Sequence, residues 1–134
     1  MLYEHETTGT VADVVARLEQ AAKDNKFGVM GVLDLKERMA EKGVAFRPQC
    51  RIVEVCNPQQ AKTVLEANMS ISTALPCRIA VYEQDGKVTV STIRPTALLT
   101  MFGNPELVPV AAEVESTIIR IINAACEEKS RVSS

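Results

Sequence analysis

Val11, Val14, Val15, Leu18, Ala21 and Ala22 fall on one stripe of a 3.6-residue period, which predicts an amphipathic helix early in the chain. Thr10 is placed to cap it, and Asp13 sits in the first turn, where the helix dipole favours a carboxylate. Before it, Leu2 to Thr7 alternates as a short edge strand does. After it, Phe27 to Leu33 is an apolar run that predicts a buried strand, with Gly28 and Gly31 leaving room for a close neighbour or permitting a bulge. Asp34 and Glu37 fit a capping box, so a short helix carrying Leu35 and Met39 inward is expected to stop near Gly43.

The period changes to two from Cys50. Cys50, Ile52, Glu54 and Cys56 alternate with Arg51, Val53 and Val55, so both faces of this strand carry some apolar residues and both are expected to be partly covered. Asn57 and Pro58 supply an N-cap and a first helical residue, opening a helix whose inner stripe is Ala61, Val64, Leu65 and Met69. Ser70 to Ala74 reads as a loop, and Leu75 and Pro76 lead into a strand from Cys77 to Glu83. Asp85 and Gly86 then form the strongest hairpin signal in the chain. A two-residue turn there sets Glu83 opposite Val88 and Val81 opposite Val90, with Ile79, Val81, Val88 and Val90 as the apolar face and Ala80, Tyr82, Thr89 and Ser91 as the more polar one. Pro95 ends the hairpin, a short helical turn passes through Leu98 and Leu99, and Gly103, Asn104 and Pro105 break it. From about Pro105, helical spacing of Val110, Ala111, Val114, Ile118, Ile121, Ile122 and Ala125 predicts a long helix lying across the sheet, with a fraying polar tail from 128.

These 134 residues suit a single domain spanning 1–134. With no Trp, two Tyr and three Phe, the interior must be aliphatic, and no aromatic stacking surface is available. The net charge of −2, with acids and bases interleaved, offers no cationic field for a phosphate backbone, which argues against nucleic acid as a partner. The N-terminal residues lack the pattern of a signal peptide, and no apolar run is long enough for a bilayer, so a cytoplasmic protein without membrane contact is expected. In that compartment the four cysteines rest as thiols. The spacing of Gly28 and Gly31 lacks the further glycine or lysine of a phosphate-binding loop, and that reading is set aside.

The combination of Phe27, Gly28, Asp34, Glu54-Val55-Cys56-Asn57-Pro58, Ala61, Leu65, Leu75-Pro76-Cys77-Arg78, Val81-Tyr82-Glu83 and Pro95 resembles a bacterial and archaeal family known as domain of unknown function number three hundred and two. The resemblance spans nearly the whole chain. It implies an α+β fold of TATA-binding-protein-like, helix-grip type: an antiparallel sheet packed against a long C-terminal helix and shorter helices, often as a homodimer. It implies no activity, and the fold name alone does not bring DNA binding with it.

Candidate chemistry gathers at Glu54, Cys56, Cys77 and Arg78. If the strand ending at Cys56 pairs antiparallel with the one starting at Cys77, the two thiols become neighbours, with Glu54 one pleat away. Two sulfurs and a carboxylate suit a borderline ion such as Zn²⁺, and two thiols alone can cycle through a disulfide. The plainer alternative is that both cysteines are small buried residues, and it is preferred because the spacing is not that of a paired-cysteine zinc motif and no histidines accompany it. A helix starting at Asn57 would favour the Cys56 thiolate if the sulfur faced its free N–H groups. Glu54 needs a cation, Arg78 or Arg47, or a solvent-facing position, and these are preferred to a raised-pKa carboxyl in a pocket, since a lone buried carboxylate is costly. Cys50, Cys126 and His5 have no reactive partner placed beside them by spacing.

Two classes of function follow. The favoured one is a non-catalytic dimeric binding or interaction module for a small apolar ligand or partner. The other is a thiol- or metal-dependent enzyme or redox sensor using Cys56 and Cys77 with Glu54.

Overall fold

The computed structural model describes the backbone of residues 1–132 and side chains through Glu127. Five strands, β1 (Leu2–Thr7), β2 (Gly28–Asp34), β3 (Cys50–Cys56), β4 (Cys77–Gln84) and β5 (Lys87–Ile93), form one antiparallel sheet in the order β1-β5-β4-β3-β2. The helices are α1 (Val11–Asp24), α2 (Leu35–Glu41), α3 (Pro58–Ala67), α4 (Pro95–Thr100) and α5 (Val108–Val132). The fold is α+β, with a long C-terminal helix lying on the sheet, as the period of its apolar residues requires.

Cross-strand pairs put Val53, Val55, Ile79, Val81, Val88 and Val90 on one face, all fully buried against α1 and α5. Val11, Val14 and Leu18 on α1 and Ile118, Ile121 and Ile122 on α5 supply the facing layer, so the core is aliphatic throughout. Hydrogen bonds fix α5 to the edge strand β1: Tyr3 donates its hydroxyl to Asn123 Oδ1, and Thr7 Oγ1 donates to the carbonyl of Cys126 at 3.0 Å. The hairpin register matches the alternation, with Glu83 opposite Val88 and Val81 opposite Val90. Its turn has positive φ at both Asp85 (54°) and Gly86 (76°), the geometry that suits the twist of the flanking strands.

Several expectations need correction. β2 is an edge strand rather than a buried one: Met30 is 65 % exposed, and the register slips between Val29 and Gly31, so the glycine-containing run holds a bulge. No residue of α2 is fully buried; Leu35 and Met39 are half-covered. On α3 only Val64 is buried, and Met69 is 69 % exposed because the chain tightens into a 3-10 helix over Met69–Ala74 where a loop was expected. The C-terminal helix continues through Val132, beyond the start of the expected tail at 128; Ser133 and Ser134 lie outside the described residues.

A smaller apolar cluster, Val64, Ile71 and Leu107 with Leu75, Leu99, Phe102 and Val110 against it, packs beyond one end of the sheet. Between this cluster and the strand ends lies the cavity described next.

Candidate functional site

β3 ends at Cys56, and Asn57 starts α3: its side chain accepts from the backbone N–H of Gln60 at 3.0 Å, and Pro58 takes the first helical position. β4 begins at Cys77, after Pro76, whose peptide bond with Leu75 is cis. Because β3 and β4 run antiparallel, the end of one meets the beginning of the other, with Val55 opposite Cys77 and Glu54 opposite Arg78. The chain therefore diverges from the sheet at two adjacent points and closes over the gap with α3, the 3-10 helix and α4.

The space between them, partly open to solvent, has a volume of about 350 Å³. Phe27, Val64, Leu75, Leu98, Leu99 and Phe102 make much of its wall. Polar residues are few among the described lining: Asn57, Gln60, Thr73, Thr92 and Arg78. Such a volume, apolar with a few placed polar groups, is the ordinary form of a small-molecule site. Its outer wall is fastened by Glu115 on α5, which accepts from the backbone N–H and the hydroxyl of Thr96 at 3.1 and 2.6 Å and pairs with Arg94 Nη1 at 3.3 Å. Burial pushes the Glu115 carboxyl up, but the hydrogen bonds from Thr96 and the Arg94 charge outweigh it and hold the group below its usual range.

Cys56 and Cys77 both line this cavity, so the backbone pairing does bring the two thiols to one place. Both are part-buried. Burial raises the Cys56 thiol above its usual value despite the helix start beside it, and burial together with the neighbouring Cys56 pushes Cys77 up to about 11. Glu54 does not join them. Cross-strand partners share a face and successive pairs alternate, so Glu54 and Arg78 point to the face opposite that of Val55 and Cys77. Glu54 Oε2 there meets Arg78 Nε at 3.3 Å, which makes Arg78, rather than Arg47, its cation. The expected three-residue Zn²⁺ cluster of Cys56, Cys77 and Glu54 is not formed; among the described residues no group of three or more His, Cys, Asp or Glu side chains is placed to hold a metal ion.

Sequence reasoning singled out the strand ends and missed the walls. Val64, Leu98, Leu99 and Phe102 are apolar residues on short helices, and nothing in their spacing separates a cavity lining from a filled core. Gln60 lies in the first turn of α3. Its side chain donates through Nε2 to Glu113 at 2.7 Å, and its buried Oε1 has no hydrogen-bond partner among the described residues, in a residue that lines the cavity. Cys50, on the other face of β3, and Cys126, on α5, stand apart from the cavity; His5 lies 3.7 Å from Glu127 through Nε2. Among the described residues no helix is long and apolar enough to cross a membrane.

No curated protein matches the chain. Among solved structures, the chain is similar to the crystal structure of an uncharacterized conserved protein DUF302 from Bacillus stearothermophilus. That match has a TM-score of 0.88 and 31% sequence identity over 92% of this chain and 97% of the other. Residues 3–125 also match the family described as Domain of unknown function DUF302. Fold and sequence agree on one assignment: the chain belongs to the DUF302 family.

Proposed function

We propose that this protein is a non-catalytic binding module that holds a small apolar ligand in the cavity between the ends of β3 and β4 and the helices α3 and α4. One observation carries the reading: a concave space of about 350 Å³ whose wall is mostly apolar with a few polar groups. An apolar occupant would take this surface out of water and fill it with dispersion contacts. Titration with the neutral fluorophore N-phenyl-1-naphthylamine tests it: saturable binding that octanol displaces is expected, and absence of saturable binding overturns it.

The same reading takes the module as a homodimer in the cytoplasm. Leu2 and Ile93, paired at the sheet edge and 50 % and 44 % exposed, share the face away from α1 and α5 with Ile52, Ala80 and Tyr82, which supports association through that face. The four free cysteines fit a reducing compartment. Light scattering that returns a monomer across working concentrations removes the dimer from the proposal.

A second reading, thiol chemistry at Cys56 and Cys77, rests on their common cavity wall. The upward push on both thiols weighs against it, since the thiolate is the reactive form.

A further inference from the structure

We infer that α4 is the gate of the cavity and Glu115 its latch: a ligand passes when the segment from Pro95 to Gly103 lifts off α5, and the contacts of Glu115 with Thr96 and Arg94 hold that segment shut. This inference rests on the binding reading above and adds how exchange at that site is controlled.

One short stretch supplies Pro95, Leu98, Leu99, Met101 and Phe102 to the cavity wall. Of the six residues in α4 only Pro95 is buried, and Leu99 and Phe102 pack no more than partly buried against the small Val64, Ile71 and Leu107 cluster. Elements with few buried apolar contacts are the ones that open locally. Met101, just after the last turn of α4, lines the cavity while 72 % exposed, so this segment borders the open side. Hinges are a few residues at element ends that absorb a change of φ and ψ. Arg94, between β5 and α4, is one such position, and Gly103 is the other, with φ 67° and nothing within 4 Å of where a Cβ would stand. The fastening between the hinges is a single carboxylate. Arg94 gives α4 no side-chain cap, and Glu115 on α5 takes that part: it accepts from the Thr96 N–H at 3.1 Å and the Thr96 hydroxyl at 2.6 Å, and meets Arg94 Nη1 at 3.3 Å. Among the described residues, every hydrogen bond from α4 to another element ends on Glu115. Its side chain is 17 % exposed, so these charge-assisted bonds are shielded from water. α3, the other helical wall, is held separately, by Asn57 Nδ2 on the Lys26 carbonyl at 3.3 Å and by Gln60 Nε2 on Glu113 at 2.7 Å. Loosening Glu115 therefore raises the open population of α4 alone, which speeds uptake and release together and leaves affinity, set by the closed walls, nearly as it was.

Stopped-flow mixing of the full chain with N-phenyl-1-naphthylamine, and displacement of the bound dye by excess octanol, give the uptake and release rates. They are measured in the native protein, Glu115→Ala, Thr96→Val and, as the comparison on the α3 side, Glu113→Ala, with thermal melting to confirm that each variant folds. The expected result is uptake and release both roughly tenfold faster in Glu115→Ala, faster by a smaller factor in Thr96→Val and unchanged in Glu113→Ala, with the dissociation constant within about threefold throughout. Thr96→Val, which loses only the hydroxyl, decides the matter if Glu115→Ala melts below the assay temperature. Native rates in the latch variants, faster release with unchanged uptake, or equal acceleration in Glu113→Ala overturns the gate while leaving the cavity reading intact. Absence of saturable dye binding in the native protein overturns the cavity reading and the gate with it.

Discussion

Glu54 and Arg78 stand opposite each other on β3 and β4 with Oε2 and Nε 3.3 Å apart, and this pair divides the site. It takes the carboxylate away from Cys77 and keeps it on the opposite face of the sheet. The side chains are 31 % and 66 % exposed, so the attraction is screened by water. Glu54→Gln is therefore expected to change unfolding free energy by less than about 1 kcal/mol in urea titration. A larger loss would mean that the pair fixes the strand ends as well as the charge balance.

The glycines separate a bulge from a turn. A Cβ on Gly31 would meet Glu54 Oε1 at 3.5 Å, an ordinary contact with a movable side chain, whereas Gly86 has φ 76° in the hairpin turn. Gly31→Ala should hold stability or raise it by about 0.4–1 kcal/mol by restricting the unfolded chain, and Gly86→Ala should lower it. Chemical denaturation of the two variants checks the opposite signs.

Asn57 caps the helix that forms the cavity's wall next to Cys56. Asn57→Ala leaves the Gln60 N–H without this acceptor and should cost about 1 kcal/mol. Hydrogen exchange should show the loss concentrated in the first turn of α3, while amides of Ile121 and Ile122 in the core keep their protection.

The buried thiols give a pH dependence with a definite sign. Cys77 and Cys126 are both pushed up to about 11 from an ordinary value of 9.0, mainly by burial. Below pH 9 both states hold the proton and the contribution to stability is complete. As pH rises from about 9 to about 11 the unfolded chain loses its protons first, so stability falls across that window. Urea midpoints at pH 8 and pH 10.5 should differ in that direction in the native protein, and the difference should shrink in Cys77→Ala. Thiol labelling at pH 8 should reach Cys50 and Cys56 before Cys77 and Cys126.

Much of the fold was legible because the apolar spacing of α1 and α5 and the Asp85-Gly86 turn each admit one solution. Those signals fix which faces of β4 and β5 are buried, and antiparallel pairing of β3 with β4 then brings Cys56 near Cys77. The exposure of β2 was not legible: an apolar run with glycines reads alike in a central strand and in a bulged edge, and only strand order distinguishes them. Glu54 was misplaced for a different reason. Alternation along β3 set it on the face of Cys56, but Cys56 is the last residue of the strand, and Cys77 belongs to the face of Val55. The Glu115 carboxylate, which joins Thr96 and Arg94 to α5, was out of reach because such a contact depends on where two helices cross.

The central claim is that the space at the end of the β3–β4 pair is a ligand site. Methyl-resolved NMR of the full chain titrated with octanol tests it most directly. The account predicts saturable shifts at Val64, Leu75, Leu98, Leu99 and Val114, with Val14 and Ile121 in the main core unmoved. Shifts absent from those five residues, or centred instead on Val88 at the hairpin end, would contradict it.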